Sequence, residues 1–227
     1  MLLAHGSPDP RHAAGVEALA ARVRALAPAR LVHTAYLDHH PPSPAEAAAG
    51  AGSAAVVPIL LTPAYHARVD VPEAVAAMTA AGPGPFAATP ALGPHPLLLD
   101  AAQELLTAAG IAPDPRTAVI LYAAGSSDSS AVASIGQTLE QHGTPGEWGP
   151  WRVAALDGGS TLPAVVDSLS GLASQTVAVA FMVAEGVLRD RMAVQCAAAG
   201  IRLVEGALGA TEAMARLVVE RADSLRA

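Results

Sequence analysis

The chain is written twice, and the second copy lacks the imidazoles of the first. The stretch Leu2-Leu3-Ala4-His5-Gly6-Ser7-Pro8-Asp9 returns as Leu121-Tyr122-Ala123-Ala124-Gly125-Ser126-Ser127-Asp128, 119 positions on (124 − 5). The same displacement lays Ala35-Tyr36-Leu37-Asp38 and Pro44-Ala45 on Ala154-Ala155-Leu156-Asp157 and Pro163-Ala164. Leu92-Gly93-Pro94 returns as Leu208-Gly209-Ala210, now 116 on (208 − 92), so only the spacers differ. Whatever unit the first half folds into, the second must fold into again. The boundary is expected near Gly110-Ile111-Ala112-Pro113-Asp114-Pro115, giving a first domain over 1–112 and a degenerate repeat over 113–227. His5 faces Ala124. With Pro58-Ile59-Leu60-Leu61 laid on Ala180-Phe181-Met182-Val183, His66 faces Leu188. A side chain that served only the fold would be expected in both copies.

Each half alternates short apolar strands with helical stretches. Strands read at about 1–5, 31–37, 55–61 and 86–90, and helices at about 11–27, 43–50, 70–81 and 96–109. The second half repeats the order, with strands near 117–123, 151–156, 177–183 and 201–205 and helices near 129–142, 161–172, 187–199 and 209–225. Such alternation predicts an α/β fold: two tandem domains, each a small parallel sheet flanked by helices. Unbroken apolar runs such as Ala54 to Leu61 suit strands buried on both faces. Pro58 sits awkwardly in one of them, because proline lacks a ladder donor. Gly143 to Trp151, with three glycines, two prolines and two tryptophans, reads as a surface loop.

Composition excludes several classes of function. No apolar run approaches the roughly 18 residues needed to span a bilayer, and no basic segment precedes the first strand, so a cytoplasmic protein without a membrane is expected. A net charge of −7 with scattered basic residues argues against a nucleic-acid surface. All thirteen basic side chains are arginine, suited to two-point capture of carboxylates. Cys196 is the single cysteine, so any metal must be held by nitrogen and oxygen.

His5 ends the first strand, Asp38 the second, and His66 follows the third. All three fall at the carboxyl edge of a parallel sheet, where such folds bind ligands. His39, His40 and His95 lie on loops at or near that edge, whereas His12, His33 and His142 have no partner pattern.

His5-Gly6-Ser7, Tyr36-Leu37-Asp38 with Pro42-Ser43-Pro44, and Leu61-Thr62-Pro63-Ala64-Tyr65-His66-Ala67-Arg68-Val69-Asp70-Val71-Pro72 resemble the sirohydrochlorin chelatases in their two-domain form. The resemblance continues through Leu92-Gly93-Pro94-His95-Pro96 and Ala123-Ala124-Gly125-Ser126-Ser127-Asp128, nearly the whole chain. It implies a class II chelatase that inserts a divalent metal into sirohydrochlorin with no further cofactor. It also implies that the two halves stand for the subunits of a smaller homodimeric form, leaving a monomer with one active site. By resemblance, His5 and His66 are the catalytic histidines, and His5, His66 and Asp38 hold the metal. Many family members have Glu at the Asp38 position.

The chemistry agrees with those residue types. Two N–H protons must leave the ring before a metal enters, and a neutral imidazole can take a proton or bind Fe²⁺ or Co²⁺. Sirohydrochlorin carries eight acidic arms, so local donors are needed; Gly6, Ser7, Arg11 and Arg68 are the candidates. Some cobalt-handling members of the family carry a His-rich tail, so the resemblance without one implies iron, giving sirohaem. A cobaltochelatase of the cobalamin route and a non-catalytic tetrapyrrole or metal carrier are the alternatives.

Overall fold

A computed structural model describes residues 1–62, 69–126, 128–144 and 146–225. The first half contains β1 (Leu2–Ala4), α1 (Pro10–Leu26), β2 (Thr34–Tyr36), α2 (Pro44–Ala49), β3 (Ala54–Pro58), α3 (Asp70–Ala81), β4 (Phe86–Ala88) and α4 (Leu97–Ala108). The second contains β5 (Thr117–Ala123), α5 (Ser129–His142), β6 (Trp151–Ala155), α6 (Leu162–Leu169), β7 (Gln175–Phe181), α7 (Val187–Ala198), β8 (Arg202–Leu203), a 3₁₀ turn (Leu208–Ala210) and α8 (Glu212–Asp223). Each half forms a four-stranded parallel sheet, ordered β2-β1-β3-β4 and β6-β5-β7-β8. The duplication read from the sequence is therefore a duplication of topology.

Period-two alternation sorts each strand between two cores. In β5, Val119, Leu121 and Ala123 join a large central core, while Ala118, Ile120 and Tyr122 face the outer helices α6 and α7. In β1, Leu2 and Ala4 join the central core, and Leu3 meets α2 and α3. The central core lies between the sheets and is filled by α1, α4, α5 and α8. Helices cross between halves: α8 packs on β3 of the first sheet, and α4 packs against β7 of the second. Polar contacts fasten α8 there. The Glu104 carboxylate accepts from the backbone N–H groups of Glu212 and Ala213 at 2.7 and 2.9 Å, capping the α8 N-terminus. Arg221 donates to the Leu92 carbonyl at 2.9 Å, and Arg30 pairs with Asp223 at 2.5 Å.

Pro58 is tolerated because it is the last residue of β3, beyond the end of β4: the pairing there stops at Val56 with Ala88. Its missing N–H has no strand opposite it. The Gly143–Trp151 segment departs from the surface loop expected. Trp148 and Trp151 are buried in the central core with rings edge to face, centroids 6.2 Å apart, and Trp151 opens β6. Thr211 also splits the last helix from the preceding 3₁₀ turn, its hydroxyl accepting from Met214 N–H at 3.2 Å. Among the described residues no helix is long and apolar enough to cross a membrane.

Candidate active site

In both sheets the chain reverses direction of travel between the first strand and the third, so β1 and β3 flank one crevice and β5 and β7 another. Ligands of open parallel sheets bind at such switch points. Here the two crevices face each other. A cavity of about 340 Å³ lies between them, with Gly6, Ser7, His12 and Ile59 to Thr62 on one wall. The other wall comprises Ala123 to Ser126, Ala131, Val132, Ile135 and Phe181 to Leu188. The first sets Ser7, His12 and Thr62 among Ile59, Leu60 and Leu61 and so carries imidazole; the second is almost wholly apolar apart from Ser126 and Glu185.

The turn that presents His5 is built identically in both copies. Gly6 has φ +95° and Gly125 φ +92°; a Cβ on either would lie 1.8 or 1.9 Å from the carbonyl oxygen of Asp38 or Asp157. Only glycine allows the turn to press against the neighbouring strand end. Ser7 Oγ accepts from Asp9 N–H at 3.2 Å and Ser126 Oγ from Asp128 N–H at 3.0 Å. Asp9 and Asp128 then cap α1 and α5 by accepting from Arg11 N–H and Ser130 N–H, both at 3.0 Å. With the scaffold held in common, the exchange of His5 for Ala124 changes chemistry and leaves the fold alone. His5 is half-buried, and its Nδ1 lies 3.2 Å from the Gly6 carbonyl, within hydrogen-bond reach.

The remaining sequence candidates divide. Gly6 and Ser7 line the cavity. His66 and Arg68 lie outside the described residues. Asp38 does stand at the carboxyl end of β2, but its side chain is 66% exposed. It turns to its own neighbour: Oδ1 accepts from His39 N–H at 2.7 Å, and Oδ2 lies 3.4 Å from His39 Nε2. What both copies share is its backbone, since the Asp38 and Asp157 carbonyls receive the two glycine turns.

Arg11 requires a correction as a clamp for substrate carboxylates. Its Nε and Nη2 reach Asp9 at 3.1 and 2.6 Å, and its Nη1 and Nη2 reach Asp190 at 3.0 and 2.7 Å. The guanidinium is filled by the protein's own carboxylates, which it holds below their ordinary range, while they raise its own affinity for protons.

One residue on the wall carries no expectation from sequence. His12, the third residue of α1, faces the cavity, and its Nδ1 is buried without a hydrogen-bond partner among the described residues. Burial, then the nearby His5 imidazole, lowers its proton affinity against the opposing pull of Asp9. Comparing the copies would have exposed it, because 119 positions on (131 − 12) stands Ala131, on the same cavity. No group of three or more His, Cys, Asp or Glu among the described residues is arranged to hold a metal.

Fold and cleft together define a duplicated α/β protein with one crevice shared by its halves. Residues 1–109 match the CbiX family model. Comparison with curated proteins gives no match. Among solved structures, the chain is similar to SirB from Bacillus subtilis with Fe³⁺, at 20% identity over 99% of this chain and 96% of that one, with a TM-score of 0.77. It is similar also to DR2241 from Deinococcus radiodurans, a multi-domain protein with structural similarity to chelatases, at 21% identity and a TM-score of 0.71. That match covers 97% of this chain and 54% of the Deinococcus protein. CbiX, the terminal enzyme for biosynthesis of siroheme in denitrifying bacteria, is similar at 20% identity, with a TM-score of 0.68 over 98% and 97% of the two chains. Similarity at these identities establishes the fold.

Proposed function

We propose that this protein is a chelatase that inserts a divalent metal ion into sirohydrochlorin, with Fe²⁺ as the ion and sirohaem as the product. One observation carries the reading: a single crevice between two sheets, imidazole-bearing on one wall and apolar on the other. A flat macrocycle needs both, one face resting on Ala124, Val132 and Leu188 and the other turned to the reactive groups. Its acidic arms reach outward past the rim, so only the ring is desolvated.

His5 and His66 act as the paired base and metal ligand, and their nitrogen donors bind a first-row dication loosely enough to release it to the ring. Asp38, with His39, meets the ion at the rim. Gly6 and Ser7 border the ring through backbone and hydroxyl, and Arg68 pairs with an acidic arm. The first domain, 1–112, carries this chemistry and the repeat, 113–227, completes the cleft, so a monomer binds one macrocycle and no resident cofactor is required. Iron is favoured because one similar structure holds Fe³⁺ and another is the terminal enzyme of siroheme biosynthesis.

Anaerobic insertion kinetics with Fe²⁺ and Co²⁺, followed by the absorption of the metallated ring, test the reading. Faster turnover with Fe²⁺ supports it; faster turnover with Co²⁺ makes the protein a cobaltochelatase. Spectral shift on binding with no acceleration by either ion makes it a carrier.

A further inference from the structure

We propose that His12 is a further catalytic residue of the cleft, the acceptor for one of the two N–H protons that the macrocycle must lose. The inference rests on the chelatase reading and goes beyond its histidine pair.

Three independent observations lead to it. His12 forms part of the cavity wall beside Gly6 and Ser7. Its Nδ1 is cut off from solvent and has no hydrogen-bond partner among the described residues, so the ring meets the cavity by its other edge. Its counterpart in the second copy is Ala131, 1% exposed on the same cavity, so the helix packs at this position without an imidazole. The exchange repeats that of His5 for Ala124. Ala124 and Ala131 both line the cavity, and each stands where the first copy has an imidazole.

The charged and titratable groups acting on His12 are His5, Asp9 and His40. Burial and the two histidines favour the neutral ring, and Asp9 opposes them. A neutral imidazole takes a proton at the nitrogen not sealed in the interior, Nε2. In the step, a pyrrole N–H bond breaks as an imidazole N–H bond forms. The electron pair left on the pyrrole nitrogen bonds to the incoming dication. His5 takes the second proton in the same way, and both imidazolium groups return their protons to solvent after the product leaves. The metal's charge of +2 replaces the two protons, and no oxidant or reductant is consumed.

His12→Asn separates this role from a structural one, because its amide occupies the place of the buried nitrogen yet cannot take a proton. Sirohydrochlorin binding is read by quenching of the macrocycle's own fluorescence, and insertion by anaerobic absorption kinetics at saturating substrate. The expectation for His12→Asn and His12→Ala is a Kd within about threefold of the unaltered chain and a kcat lower by about tenfold or more, with the acid side of the pH profile displaced. A kcat within about twofold in either variant overturns the inference, as does a loss confined to Kd. Failure of the unaltered chain to accelerate insertion of any ion overturns the chelatase reading, and the proton-acceptor role falls with it.

Discussion

Arg11 and Asp190 meet across the boundary between the halves through two parallel hydrogen bonds, Nη1 to Oδ1 at 3.0 Å and Nη2 to Oδ2 at 2.7 Å. The same guanidinium grips Asp9, the cap of α1. The end of α1 that bears His12 is thereby tied to the first turn of α7, next to Val187 and Leu188 on the opposite wall. The pair is solvent-exposed, so its contribution to stability is small. Its geometric effect is to register one wall of the cleft against the other.

Arg11→Ala and Asp190→Asn are therefore expected to act alike. Each should lower kcat by roughly two- to fivefold and shift Tm by only a few degrees, and the double variant should be no worse than either single one. The double-mutant cycle checks this. If Arg11 instead clamped a substrate carboxylate, Arg11→Ala would raise KM and Asp190→Asn would not reproduce it.

His5→Ala should reduce metal insertion by about 10²-fold or more, the scale for losing a positioned acid–base group. Folding should survive, because Ala124 already occupies the same glycine turn in the second copy. Circular dichroism melts beside insertion kinetics separate the two effects. Near-normal turnover would remove His5 from the mechanism.

Gly15 on α1 faces the 183–186 loop so closely that an added Cβ would lie 2.6 Å from the Ala184 Cβ. Glycine to alanine in a helix interior ordinarily gains up to about 1 kcal/mol. Overpacking of this kind costs about 1–3 kcal/mol, and neither partner is a flexible side-chain end that could move aside. Gly15→Ala should therefore destabilise, with a lower urea midpoint at unchanged m-value. A rise in midpoint would show that the halves are less tightly apposed.

Much of this was legible in the sequence because the repeat registers the same physics twice. Alternating apolar runs and helical stretches gave all eight strands and the flanking helices, since a strand buried on both faces leaves an unbroken apolar run. Strand ends were less legible: β2 is shorter than its apolar run, because pairing stops where its neighbour β1 does. Trp148 was misplaced because loop-forming glycine and proline around it outweigh the signal of a ring entering the core, whereas Trp151 opens the strand expected near 151–156. The position of His5 at the sheet edge was readable from where its strand ends. Contacts between residues 179 positions apart, such as Arg11 with Asp190, leave no local pattern, so the arginine's partner was invisible. His12 was hidden differently, as a helical residue whose neighbours suggest nothing until the fold turns it to the cleft.

Stability should fall on the acid side. Burial is the largest cause lowering the proton affinity of both His12 and His95, against Asp9 in one case and Glu220, 3.2 Å away, in the other. The unfolded chain therefore takes up protons at these residues before the folded chain does. Stability is fully present above the ordinary histidine value near 6.5 and is lost as pH drops below it. Urea midpoints should be level above about pH 7 and decline below about 6.5, with a shallower decline in the His12→Asn, His95→Asn double variant. An unchanged slope in that variant would assign the decline to other groups.

The shared crevice makes the central claim a matter of stoichiometry. A fluorescence titration of the full chain with sirohydrochlorin should saturate at one macrocycle per polypeptide, because both switch points open into the same cavity and only one wall bears imidazole. Saturation at two equivalent macrocycles per chain would mean that each half binds alone, and would contradict the account.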